Sequence, residues 1–377
     1  MASRPNPFHY GTPAEGDFFT GRNREVQALV SRITNHINVV LVSPRRYGKT
    51  SVLLRAEAEL ADNDRAIIHV NVLRCRDLGA LVGKLTGQAY AMRGARWHRA
   101  KQAVPEFLHR LRITPGVTFD AGGSPSFTFG PNMTPRDADD MVADVYALLA
   151  EEAADRPAAL ILDEFQSIPD HGGHLPDLLK ALADEHPKVS LVLAGSKRHL
   201  MDRLVTAHDA PLYNMAQRLA LGPIPDAEMA AYLETRSADG GAPMTPEVAA
   251  AIVALAGPVP NDIQHLAYEA FEVAGRRIDR AAVAAGLELA VDHEAPTYVE
   301  EFSRRAPGQR QVLIELAHGG TDAPASETFV RACRLANASS VSRALTAMDT
   351  DDLVAHRDGR WVVADPFFAT WLRQADL

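Results

Sequence analysis

The chain has 377 residues, is 46% apolar and 23% charged, and carries a net charge of −9. That is the profile of a soluble protein of two or three domains, and it excludes a uniformly basic nucleic-acid binder. Its two cysteines, Cys75 and Cys333, stand far apart without metal spacing, so no disulfide framework is expected and a reducing, cytoplasmic setting fits. Residues Met1–Phe8 hold no apolar signal core and no run approaches the length of a membrane span, so no membrane partner is expected.

Residues 1–20 read as irregular, with Pro5, Pro7 and Pro13. A helix is then predicted, capped by Thr20, with Val26, Leu29, Val30 and Ile33 at helical spacing. The apolar run Val39–Val42 predicts a buried strand, and Ser51–Ala56 the helix beyond it. Between them lies Ser43-Pro44-Arg45-Arg46-Tyr47-Gly48-Lys49-Thr50. This strand–loop–helix order is that of a P-loop, whose backbone N–H groups curl around phosphate at a helix N-terminus. Lys49 is expected to reach the β- and γ-phosphates of ATP, or the β-phosphate of ADP, and Thr50 to offer its hydroxyl to Mg²⁺. The usual leading Gly is replaced by Ser43, which Pro44 biases toward extended backbone.

Ala66–Val72 predicts the next strand, and residues 77–112 read as helical. Seven bases fall between Leu78 and Arg112 against one acid, Glu106, with Trp97 and His98 among them. Two readings stay open for this stretch: a phosphate-binding face, or a solvated helix paired with acids elsewhere. Residues 113–130 alternate around Gly122-Gly123-Ser124-Pro125 and predict a β-hairpin projecting from the core. A helix over 135–154 leads to the strand Ala158–Leu162, which ends in Asp163 and Glu164. Acids at the carboxyl end of a buried parallel strand suit a Mg²⁺ ligand, here Asp163, and a general base, here Glu164. A helix over 174–186 and the strand Val189–Ala194 complete an α/β pattern: a parallel sheet with helices on both faces.

After Gly222-Pro223-Ile224-Pro225 only helices are predicted, with caps at Asp226 and Thr245. The last stretch reads as three helices, Gln309–His318, Ser326–Cys333 and Ser339–Asp349, followed by a β-hairpin turning at Asp358-Gly359. That is the order of a winged helix. The expected organisation is an N-terminal segment 1–20, a P-loop core 21–222 with the hairpin near 113–130, an all-α lid 223–297 and a winged-helix domain 298–377.

Taken together, Asn6-Pro7-Phe8, Phe19–Glu25, Pro44–Ser51, Leu162–Phe165, Ala194-Gly195-Ser196, Leu221–Ile224 and Asp365–Leu372 resemble the archaeal-type ATPases of the STAND class. These P-loop proteins lie close to the AAA+ ATPases. The resemblance implies that Gly21 and Arg22 lie near the nucleotide and that Ser196 is a sensor of the γ-phosphate. It further implies that Pro260 contacts nucleotide from the lid, although Pro258 stands where the family has Gly. Lys197 and Arg198 are further candidates for sensing phosphate. Arg218 is open between an arginine finger acting on a neighbouring subunit and a surface arginine.

The function expected is slow Mg²⁺-dependent ATP hydrolysis in a nucleotide-driven conformational switch, acting on a regulatory protein partner and able to assemble into a homo-oligomer on ATP binding. The alternative is a DNA-handling ATPase that uses the basic stretch, the hairpin and the winged helix. The winged helix itself favours protein contact, since residues 298–377 hold more acids than bases and Asn337–Met348 contains only Arg343.

Overall fold

The computed structural model describes residues 5–61, 65–92, 107–112, 115–119, 125–129, 134–170, 174–196, 198–206, 210 and 212–375. The chain divides into two compact units: residues 13–223, and residues 1–12 together with 224–377.

The first unit is built on a parallel sheet of β1 (Val39–Val42), β2 (Ala66–Asn71), β5 (Ala158–Asp163), β6 (Val189–Gly195) and β7 (Gln217–Ala220), in the order β2-β5-β6-β1-β7. The central strands are buried along their whole length, which is why they read as unbroken apolar runs rather than alternations. Their side chains part to opposite faces. Val40, Val42, Leu160, Leu162 and Leu193 join one core, which α3 (Leu78–Met92), α4 (Pro135–Glu152) and α5 (Leu175–Glu185) cover. Val39, Leu41, Ala159, Ile161 and Val192 join the other, under α1 (Asn23–Thr34) and α2 (Lys49–Ala61). The predicted α/β sheet with helices on both faces is therefore present. Strand β7 was not predicted. It is a four-residue edge strand with exposed side chains at three positions, so no apolar pattern marks it.

Three local expectations are corrected. Helix α1 begins at Asn23 with Arg22 in the cap position and no side-chain cap, so Thr20 does not cap it. Asp226 is the first residue of its helix rather than the cap, and Thr245 occupies a cap position without a capping hydrogen bond. The predicted hairpin exists, β3 (Gly116–Phe119) against β4 (Pro125–Thr128), but it lies on the core instead of projecting from it. Its alternation places Phe127 inward, 5% exposed and in ring contact with Tyr90 and Phe107, while Phe119 faces out. Helix α3 accommodates β4 through Gly83, where a Cβ would meet the Phe127 carbonyl oxygen at 2.6 Å. Arg93, Arg96, Trp97, His98 and Arg99 lie outside the described residues, as do Lys197 and the hairpin turn.

The second unit holds α6 (Asp226–Asp239), α7 (Pro246–Ala256), α8 (Pro260–Val273) and α9 (Arg280–Ser303). There follow α10 (Pro307–Ala317), α11 (Glu327–Ala332), α12 (Ala338–Thr350), the hairpin β8 (Val354–Arg357) and β9 (Arg360–Val363), and α13 (Pro366–Gln374). A single core runs through all of it, from Phe8 and Met229 to Phe367 and Leu372, and α9 runs unbroken past residues 297 and 298. The late Asp-Pro-Phe-Phe motif has a plain physical reading. The Asp365 carboxylate accepts from the N–H groups of Phe367 and Phe368 at 2.8 and 3.1 Å, Pro366 starts the helix, and both rings are buried. Among the described residues no helix is long and apolar enough to cross a membrane.

Helices α8 and α9 approach closely at Gly286, where a Cβ would sit 2.6 Å from the Ala270 nitrogen and 2.8 Å from its Cα. Backbone cannot yield as a flexible side chain does. Gly286→Val should therefore destabilise this unit by about 1–3 kcal/mol, in the range of overpacked cores. Urea unfolding followed by tryptophan fluorescence checks it, since Trp361 and Trp371 both lie in this unit.

Candidate functional site

Three strand ends build the site. The loop after β1 runs Ser43 to Gly48, and α2 begins at Lys49. Two of its residues take positive φ, Arg46 at 65° and Gly48 at 88°, and Gly48 relieves the strain at the second. Ser43 is not among the positive-φ residues. Its N–H donates to the Gly195 carbonyl at 3.2 Å, extending the β1–β6 pairing by one residue, and its hydroxyl donates to the Pro44 carbonyl at 2.9 Å. A side chain is thus tolerated where the usual pattern has Gly. Tyr47 is buried, and Arg45 and Arg46 are exposed at the loop tip.

The carboxyl end of β5 supplies Asp163, fully buried, and Glu164 beyond it. The Lys49 ammonium donates to the carboxylates of both, to Glu164 Oε1 at 2.9 Å. Thr50 Oγ1 donates to Asp163 Oδ2 at 3.0 Å. The lysine and hydroxyl that follow β1 therefore converge on the two acids at the end of β5, one strand beyond the intervening β6. Glu164 sits at φ 56°, a left-handed conformation that costs a non-glycine residue about 1–3 kcal/mol. Its N–H donates to Asp163 Oδ1 at 2.9 Å, which helps hold that turn.

Ser196, just past the end of β6, donates its hydroxyl to Glu164 Oε2 at 3.0 Å. Gln166 was not singled out from the sequence, yet it completes the group. Its Nε2 donates to Glu164 Oε2 and its Oε1 accepts from the Ser196 N–H at 3.3 Å. Gly195 makes room for it, since a Cβ there would lie 2.6 Å from Gln166 Oε1. No sequence pattern marks it, since Gln166 lies in the mixed stretch Phe165-Gln166-Ser167-Ile168-Pro169-Asp170. Burial alone would push the Glu164 carboxyl up, but the Lys49 ammonium and the hydrogen bonds from Lys49, Gln166 and Ser196 outweigh it and hold the group below its ordinary value.

Arg22 takes a bracing position. Its guanidinium is buried, donates to the Tyr47 carbonyl at 3.1 Å and the Gly222 carbonyl at 2.6 Å, and pairs with Glu25 at 3.1 Å. It ties the phosphate-type loop to the segment leaving β7. Gly21 precedes it at φ 70°. Ser51, next to Thr50, accepts from the Ala14 N–H at 2.9 Å. Arg218 lies on edge strand β7, level with Val40 and two residues short of that strand's end. Pro260 is the first residue of α8 in the other unit, and Gly257, at φ 70°, serves the turn in place of a Gly at 258.

The donor set suits a hard divalent cation. Thr50 Oγ1 and the Asp163 carboxylate are oxygen ligands on one side of the loop, and Mg²⁺ keeps most of its waters and needs few protein ligands. Among the described residues no group of three or more His, Cys, Asp or Glu is placed to hold a metal alone.

Residues 296–374 match a family model described as "Probable winged helix domain". The whole chain is similar in structure to a Walker-type ATPase of Pyrococcus abyssi, at 18% identity over 97% of this chain and 99% of that one, with a TM-score of 0.68. It is also similar to the ORC2 protein of Aeropyrum pernix in its ADP form, at 15% identity over 99% of each chain, TM-score 0.53. The ORC1 protein of the same organism, solved in complex with DNA, matches at 16% identity over 95% of this chain and 93% of that one, TM-score 0.50. Comparison with curated protein sequences gives no match. The fold is that of a P-loop ATPase followed by a winged helix.

Since folding lowers the Glu164 pKa, the folded state binds its proton less tightly than the unfolded chain. The group therefore stabilises the fold above its ordinary pKa of about 4.3, and that contribution fades as pH falls through the lowered value. The difference in thermal unfolding between wild type and Glu164→Gln should be present at pH 7 and close progressively below about pH 4. Calorimetric scans of both proteins across that range check it.

Proposed function

We propose that this protein binds ATP at the loop 43–50, holds Mg²⁺ with Thr50 and Asp163, and hydrolyses the γ-phosphate slowly as a STAND-type conformational switch. The observation that carries the reading is the convergence of Lys49, Thr50, Asp163, Glu164 and Ser196 at adjoining strand ends.

Each residue has a task that its position supports. Lys49 neutralises phosphate charge at the N-terminus of α2, where the loop N–H groups and the helix dipole already favour an anion. Thr50 and Asp163 hold the cation, which when bound neutralises charge that builds on the phosphate oxygens. Glu164 accepts the proton of the attacking water. Its lowered pKa keeps it ionised at neutral pH, and Ser196 and Gln166 fix its orientation. Ser196 is then the group through which the state of the γ-phosphate reaches the end of β6. Arg22 keeps the loop shaped from behind. The lid over 223–297, with Pro260, and the winged helix over 298–377 are the parts such a switch would move. A protein partner and ATP-dependent self-association fit this class of device, and a cytoplasmic setting fits the composition.

The DNA-handling alternative draws support from one observation, the likeness to a protein solved in complex with DNA. The winged helix speaks the other way. The outward residues of α12 include Ser339, Ser342, Thr346 and Asp349, with Arg343 as the single base, and phosphate contacts dominate affinity for DNA.

Lys49→Ala should abolish ATP binding, measured by calorimetry in Mg²⁺; tight binding retained would remove the loop from its assigned role. Glu164→Gln should bind ATP and lose turnover by about 100-fold or more. Turnover of the wild type should be indifferent to added duplex DNA. Strong stimulation would favour the DNA-handling alternative.

A further inference from the structure

Next to the loop, within the same unit, lies a cavity of about 550 Å³ that the hydrolytic reading does not use. It opens at the carboxyl end of β2, between α2, α3 and the hairpin strand β4. Thr50 and Asp163 form part of its wall, so it shares a border with the cation-holding residues. Its size falls among small-molecule sites, which run from about 300 to 1,000 Å³, and exceeds what a single inorganic ion would fill.

The lining is chemically sorted. Strand β2 alternates, burying Ile68 and Val70 in the sheet core and turning His69 and Asn71 to the other face. Asn71 Oδ1 and His69 Nε2 are both buried with no hydrogen-bond partner. Such atoms cost free energy unless something supplies a partner. His69 Nδ1 lies 2.5 Å from Glu57 Oε1. Asn71 Oδ1 is an acceptor by its chemistry, and His69 Nε2 accepts or donates according to the state of the ring, so this part of the cavity calls for a polar partner with at least one donor.

Two cations line another part. Arg74 and Lys84 are exposed and both line the cavity, and the Lys84 ammonium donates to the Arg74 backbone carbonyl at 2.8 Å. Among the described residues neither is paired with a carboxylate. Leu54 and Phe127 supply apolar wall between the two ends. An adjoining guanidinium and ammonium suit a phosphate, which offers several anionic oxygens at once.

We propose that this cavity is a second ligand site, for a small phosphate-bearing molecule whose opposite end carries hydrogen-bond donors, a nucleoside monophosphate being the simplest form. The phosphate binds Arg74 and Lys84, a donor at the other end meets Asn71 Oδ1, and a polar group there meets His69. Asn71 stands in register with Asp163 on the adjoining strand, so occupancy bears directly on the residue that holds the cation. This last step, the coupling to turnover, rests on the hydrolytic reading above; the binding site does not.

The test uses the full chain in two calorimetric titrations. Mg-ADP is titrated first, which reads the loop 43–50 by itself. With Mg-ADP then saturating, uridine monophosphate and ribose 5-phosphate are titrated separately. One additional site for uridine monophosphate is expected, weakened about tenfold or more by Arg74→Glu and by Lys84→Glu, the loss of one charge-assisted contact. Ala80→Leu, which fills the wall from α3, should abolish it while Mg-ADP binding stays unchanged. Ribose 5-phosphate binding more weakly than the nucleotide assigns the donor end to the base; equal binding assigns recognition to the phosphate and sugar. No second site for either probe, or a second site insensitive to both charge reversals, overturns the proposal. Failure of the Mg-ADP titration counts against the loop assignment and leaves the second titration to be read on the Arg74 and Lys84 variants.

Discussion

Lys49 brings one positive charge into a buried site that holds two carboxylates, and the rest of the first unit is arranged around that imbalance. Asp163 is fully buried and Glu164 largely so, and the Lys49 ammonium with the hydroxyls of Thr50 and Ser196 supplies their hydrogen-bond partners. The sheet order makes the meeting possible. It sets β6 between β1 and β5, so the loop after β1, the acids after β5 and the serine after β6 come from three adjoining strand ends.

Strain and bracing accompany that arrangement. Glu164 and Arg46 sit in left-handed backbone, which persists only where neighbours over-determine it. Glu164 is held by side-chain contacts from three places, α2, the residue just past β6 and the turn that carries Gln166. The loop is held by Arg22, whose two carbonyl partners are far apart in sequence, Tyr47 and Gly222. A charged side chain with a buried guanidinium is costly unless its donors are used. Here Nη2 braces the backbone at Tyr47 and Gly222, while Nε has no hydrogen-bond partner.

Much of this was legible in the sequence, for identifiable reasons. Buried parallel strands write themselves as apolar runs, so β1, β5 and β6 could be read together with the residues at their ends. The placement of Lys49, Thr50, Asp163 and Glu164 follows because it is fixed by position relative to a strand end. What escaped lacks such a pattern. Strand β7 is short and exposed, and is a strand because β1 offers it a free edge. Gln166 is a site residue only through the fold of a turn. Arg22 reads in the sequence as part of a nucleotide motif, and its two carbonyl partners lie 25 and 200 residues away. The hairpin was recognised from its alternation, but alternation does not say which surface receives the inward face. Gly83 on α3 decides that.

The first residues of the chain belong with its last. Phe8 is buried in the core of the unit made by residues 224–377, Asn6 donates to the Tyr268 carbonyl at 3.1 Å and to Glu272 at 2.7 Å, and Tyr10 stacks on His265 at 4.0 Å. During synthesis this segment is made before the residues it packs against, and meets them only after the whole of residues 13–223 has been made. The sheet with the phosphate-type loop can close while its own leading strap is still unpaired. Completion of the C-terminal unit then recaptures the N-terminus and converts the interposed sheet unit into an insertion held at both ends.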